Sequence, residues 1–98
     1  MSAEKARSSI VVSRDQRGWR DRARSYDVVI DGEQVAKIKR GRRIELPITS
    51  GRHEILMRIN WGMSQSIQLD ILPGESIQLF CTTGSSQRGK NYISLSRV

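Results

Sequence analysis

From Arg43 onward, apolar side chains return at every second position. Ile44, Leu46 and Ile48 alternate with Arg43, Glu45 and Pro47, and His53, Ile55, Met57, Ile59 and Trp61 share one phase, broken by Leu56. Ile67, Leu69 and Ile71 alternate with Gln68 and Asp70, Ile77, Leu79 and Cys81 follow Glu75, and Ile93 and Leu95 alternate with Ser94 and Ser96. Successive side chains of an extended chain point to opposite faces. A sustained period of two therefore describes strands with one face buried and one solvated. Composition agrees: 11 Ile, 6 Val and 3 Thr stand against 6 Leu and 4 Ala, a β-branched excess that favours strands over helices.

Turn-forming residues divide these runs at Asp31-Gly32, Gly41, Ser50-Gly51, Gly62, Pro73-Gly74 and Gly84 to Gly89. A turn roughly every ten residues is the rhythm of an antiparallel sandwich or barrel. The reading is all-β: a single antiparallel β-sandwich of seven or eight strands, near 8–13, 26–30, 34–39, 43–48, 52–60, 65–72, 75–82 and 91–97. The 98 residues allow one domain, 1–98, with a polar, flexible N-terminus over 1–7. Asp31-Gly32 is the strongest hairpin signal. A two-residue loop puts Val28 opposite Val35, whereas a four-residue loop pairs Ile30 with Val35. Pro47 cannot donate to a ladder, which makes its strand an edge or ends it there.

Charge is unevenly spread. Residues 1–43 carry 12 basic and 6 acidic side chains, and residues 44–98 carry 5 and 4. The excess falls in two clusters: Arg14, Arg17, Arg20, Arg22 and Arg24 around Trp19, and Lys37, Lys39, Arg40, Arg42 and Arg43 with no acid among them. Arginine outnumbers lysine 13 to 4, and its planar fork suits bidentate contact with phosphate or carboxylate. The eleven residues Arg14, Arg17, Trp19, Arg20, Arg22, Arg24, Lys37, Lys39, Arg40, Arg42 and Arg43 are accordingly the expected partner- or anion-binding set. Trp19 among arginines also fits a base-stacking, phosphate-neutralising surface. Against nucleic acid stand the five aromatics of the whole chain and the interrupting Asp15 and Asp21.

Catalytic chemistry has little to stand on. His53 and Cys81 are the sole residues of their types. Cys81 ends an alternating apolar face, as a small core hydrophobe does, and His53 opens a strand after a turn. The acids lack Ca²⁺-loop spacing. Gly84-Ser-Ser-Gln-Arg-Gly-Lys-Asn91 lacks the GxxxxGK[ST] form of a phosphate loop and reads as a flexible polar loop. Trp61 shares the phase of the run before it and is expected to close the core at the sheet's end. The expectation is a non-enzymatic interaction module without cofactor or metal. It binds a protein or anionic ligand through the arginine-rich surface or an exposed strand edge, with nucleic acid as the alternative. No apolar run exceeds three residues, far short of a membrane-spanning helix. Met1 to Ser9 lacks a signal-like apolar stretch, so a cytoplasmic location is expected.

One set of residues resembles a known pattern. Tyr26-Asp-Val-Val-Ile-Asp-Gly-Glu-Gln-Val-Ala-Lys-Ile38, then Gly41, Ser50-Gly-Arg-His53 and Pro73-Gly-Glu75, resemble small bacterial β-domains of the PEGA-like kind. In these a strand ends in Asp-Gly, a short strand follows, and a later Gly-x-His opens the next long strand. The resemblance covers about residues 24–82 and rests on turn-forming residues, so it bears on topology. It implies an accessory or envelope-associated binding module. The chain departs from it in having Arg22-Ala-Arg-Ser-Tyr26 where the family has a strand-initiating Pro-x-Gly-Ala stretch.

Overall fold

A computed structural model of the chain describes residues 7–15, 24–83 and 92–98. The expected flexible N-terminus therefore lies outside the described residues except for Arg7, which is exposed, and the Gly84–Asn91 loop lies outside them entirely. The described residues form nine strands: β1 (Ser8–Arg14), β2 (Tyr26–Ile30), β3 (Glu33–Ile38), β4 (Arg43–Ile48), β5 (Gly51–Ile59), β6 (Gly62–Met63), β7 (Ile67–Ile71), β8 (Ser76–Thr83) and β9 (Ile93–Arg97). None of the described residues forms a helix long and apolar enough to cross a membrane.

Two sheets result. One has the order β4-β1-β8-β9; the other has the order β3-β2-β5-β6, with β7 also paired to β5. The count of seven or eight strands is thus corrected to nine. The additional strand is the two-residue β6, split from β7 where Ser64 turns inward. Its Oγ accepts the Met57 N–H at 2.9 Å and donates to the Gln65 carbonyl at 2.9 Å. The wholly antiparallel reading is also corrected, because β1 pairs with β8 in parallel, Ile10 opposite Ile77 and Val12 opposite Leu79. Alternation fixes which face of a strand is buried but not the direction of its neighbour. Ile10, Val11 and Val12 of the interior strand β1 are all buried. Pro47 behaves as expected, on the edge strand β4 opposite Ser9.

The Asp31-Gly32 turn resolves both register readings. Asp31 (φ 53°) and Gly32 (φ 84°) both adopt positive φ, the signature of a two-residue type I′ hairpin turn. Ile30 faces Glu33 and Val29 faces Gln34, but Val28 then faces Ala36, because a bulge leaves Val35 as an extra residue. A regular ladder would have placed Lys37 opposite Tyr26 on the buried face. The bulge instead brings Ile38 there and sets Lys37 opposite Asp27, its Nζ 2.9 Å from the carboxylate. A missing ladder bond costs about 1 kcal/mol, whereas an unpaired buried ammonium costs several, so the bulge wins.

Both sheets contribute to one apolar cluster: Ile10, Val12, Ile77, Leu79, Cys81 and Leu95 from the first, Tyr26, Val28, Ile38, Ile55, Met57 and Leu69 from the second. Each fully buried aliphatic side chain stabilises by about 1.5–3 kcal/mol. At one end Tyr92 presses on Gly62, where an added Cβ would lie 2.4 Å from the Tyr92 Cβ. Only glycine fits that approach.

Candidate functional site

The strand directions decide where the basic residues go. β1 and β3 end, and β2 and β4 begin, at the same end of a molecule measuring 47 × 21 × 21 Å. There the described parts of the two basic clusters are tied together. The Arg14 N–H donates to the Arg42 carbonyl at 2.9 Å, and the Gly41 N–H donates to the Asp15 carbonyl at 3.0 Å. Arg14 Nη1 donates to the carbonyls of Arg24 (2.7 Å) and Ile38 (3.0 Å). Arg24, Lys37, Lys39, Arg40, Arg42 and Arg43 are exposed at or beside this junction. Arg17, Trp19, Arg20 and Arg22 lie outside the described residues, in the segment that departs from Asp15 and returns at Arg24.

Arg14 differs from the other members of the set. It is 4% exposed, and its guanidinium lies 3.7 Å from the Tyr26 ring centroid. Tyr26 in turn meets Thr83 Oγ1 through its hydroxyl at 3.3 Å. A buried guanidinium is tolerable only with its donors satisfied, and carbonyls at the entry of β2 and the exit of β3 satisfy it here. Arg14 thus fastens the two sheets beneath the basic end and does not present its charge to a partner.

An open groove of about 240 Å³ is lined by Arg24, Ser25, Asp27, Lys37, Ile59 and Asn60. Asp27 on its floor has Lys37 Nζ at 2.9 Å and Arg58 Nε at 3.8 Å. Two cations flank one acid there, and Arg24 adds a third. The Arg24 guanidinium stands 5.7 Å above the Trp61 ring, and Trp61 meets Tyr92 edge-on, centroids 6.0 Å apart. Trp61 is partly buried against the core cluster, consistent with closing the sheet's end.

Arg58, Asn60 and the Arg24–Trp61 stack were not singled out from the sequence. Arg58 reaches Asp27 because the two are opposite in the β2–β5 register, a pairing that alternation does not reveal.

His53 and Cys81 do not meet. His53 opens β5, at the end opposite Arg14, with Nδ1 2.6 Å from Asp31 Oδ2 and Nε2 2.9 Å from the Thr49 carbonyl. Cys81 lies opposite Arg14 on β8, fully buried. Burial pushes its thiol up to about 12, although the neighbouring Arg14 pulls the other way. A thiol so protonated is a poor nucleophile. No group of three or more His, Cys, Asp or Glu among the described residues is arranged to hold a metal ion.

At the far end the charges are mixed. Asp31, Glu33, Glu54, Asp70 and Glu75 stand among Arg7, Arg52 and Arg97, with Arg52–Asp70 at 3.4 Å and Arg97–Glu75 at 3.6 Å. Comparison with known proteins finds no matching family model, no matching curated protein and no matching solved structure.

Proposed function

We propose that this chain is a non-enzymatic binding module that docks an anionic partner at its basic end. The observation that carries the reading is the meeting of two basic clusters, separated by twelve residues of chain, through the Arg14–Arg42, Gly41–Asp15 and Arg14–Ile38 hydrogen bonds. Solvated basic residues placed only for solubility have no need to gather on one end. In this reading the two sheets stack as a β-sandwich, a rigid frame for the exposed Lys39, Arg40, Arg42 and Arg43. The PEGA-like resemblance is proposed in the same sense, as a likeness of topology that suits an accessory binding role in a soluble, cytoplasmic setting.

The test is a titration of the protein with sodium polyglutamate, polyphosphate and a single-stranded oligonucleotide at low and moderate salt. Expected is binding to at least one of these polyanions that weakens steeply with salt, since neutralising a polyanion releases counterions. Replacing Lys39, Arg40 and Arg43 by glutamate should weaken that binding by about a hundredfold, at ~1 kcal/mol per exposed charge contact. Arg52→Glu at the opposite end should leave it unchanged. Binding to none of the three at low salt, or equal loss in both variants, removes the proposal.

A further inference from the structure

We infer that the groove beside Trp61 is a nucleotide subsite, and that the anionic partner of the basic end is single-stranded nucleic acid. This rests on the reading of that end as an anion-binding surface and gives its ligand a chemical class.

Charge alone does not separate a nucleic acid from an acidic peptide; flat stacking surfaces do. The basic end supplies one. Arg24 covers the Trp61 ring at 5.7 Å, and Tyr92 braces Trp61 from the edge at 6.0 Å and 81°. A guanidinium held over an indole offers its other face to a base, and bases stack on arginine planes as they do on aromatic rings.

Around this stack the groove, together with Arg58 paired to its Asp27 from outside the lining, supplies the other functions that a nucleotide requires. Lys37 and Arg58 flank Asp27 at 2.9 and 3.8 Å, so the acid is compensated and the local charge stays positive for a phosphate. Both cations retain exposure, 61% and 42% of their side chains. Asn60 and Ser25 line the same groove, and an amide presents both a donor and an acceptor to a base edge. A volume of about 240 Å³ suits one nucleotide unit lying in an open groove, and the exposed Lys39 and Arg40 follow its Lys37 along the chain.

The composition argued against nucleic acid because aromatics are few. The fold changes the weight of that argument by placing Trp61 and Tyr92 at the charged end.

The inference is tested with the full chain carrying Trp19→Phe, which leaves Trp61 as the only tryptophan, and with the unaltered chain in parallel, whose affinity is the reference for every outcome. Oligo(dT) and oligo(U) of about a dozen nucleotides are titrated against it, with polyglutamate of equal charge as comparison. Expected is quenching of Trp61 emission by the oligonucleotides and not by polyglutamate, with tighter binding to the oligonucleotides. The exposed double variant Arg24→Ser, Lys37→Ser should lose the quench and lower the slope of log affinity against log salt by about 1.4, at ~0.7 per single-strand phosphate contact. Its melting temperature shows that the fold persists. Oligonucleotide binding without a change in Trp61 emission, or binding that the double variant leaves intact, overturns the subsite. Binding to polyglutamate alone overturns the nucleic-acid class and leaves the anion-binding reading standing. Binding to neither ends both.

Discussion

Asp31 occupies the left-handed region, at φ 53°, a conformation that Asn and Asp adopt more readily than other side chains. Its carboxylate is fully engaged. Oδ1 accepts the Glu54 N–H at 2.9 Å and Oδ2 accepts from His53 Nδ1 at 2.6 Å. The backbone hydrogen bond from Glu54 is the larger cause, and the His53 hydrogen bond the second, that holds its pKa below the ordinary 3.8. A carboxylate whose pKa is depressed by folding adds stability that is complete above its unfolded value and fades as pH falls through the folded one. Asn at position 31 keeps the turn conformation and one acceptor oxygen but carries no charge. Wild-type protein should therefore be more stable than Asp31→Asn at about pH 6, with the difference shrinking as pH drops below ~4. Chemical denaturation across that range measures it; a difference independent of pH would show that the charge is not what fastens the turn to β5. The same geometry fixes the His53 ring at the start of β5. Both ring nitrogens already have partners, Asp31 on one side and Thr49 on the other.

At the scale of elements, β3 (Glu33–Ile38) turns on one surplus residue. Deleting Val35, which is 46% exposed, should yield a regular hairpin with every observed partner kept: Val29 with Gln34, Val28 with Ala36, Asp27 with Lys37 and Tyr26 with Ile38. The expected result is a folded protein whose stability changes by less than about 1.5 kcal/mol, since one apolar side chain leaves the surface and no core contact is removed. Thermal or urea unfolding decides; collapse of the fold would show that the bulge's local twist, not the register, is what β3 needs. The bulge also marks the boundary of what was readable in advance. Period-two patterning from Arg43 onward, with the short apolar runs and the Asp31-Gly32 turn before it, located eight of the nine strands to within about two residues, because burial of a face writes itself into residue order. It was silent on the Val35 bulge, on the parallel β1–β8 pair and on the Asp27–Arg58 contact. Each of these depends on which strand lies alongside, a choice made by tertiary packing between residues far apart in the chain. The basic clusters were legible as composition. That Arg14 is a buried fastener went unread, although it shares the phase of the buried Ile10 and Val12 on β1, because an arginine at a strand's end is ordinarily solvated.

Across the whole molecule, the basic end and the core are mechanically joined. Cys81 lies in the shared core cluster, opposite Arg14, whose guanidinium binds the carbonyls of Arg24 and Ile38. Reagent can reach the sulfur only when β8 parts from its neighbours, and the thiol, pushed up to about 12 by burial, carries negligible thiolate while the fold is closed. Labelling by a disulfide reagent at neutral pH should accordingly be slow in native protein and accelerate with urea, tracking the opened population. A polyanion bound at the basic end favours the closed state. At a free concentration of ~100 times Kd it should slow labelling by about a hundredfold where opening equilibrates faster than reaction. The Lys39, Arg40, Arg43 glutamate variant should show the same slow basal labelling, because those side chains are exposed and outside the core, and should lose the protection if the proposed docking at the basic end holds. Rapid labelling of the native protein would contradict the closed core. Unaltered labelling in saturating polyanion would mean that the partner binds the opened and closed forms alike, and so does not grip the frame that Arg14 holds together.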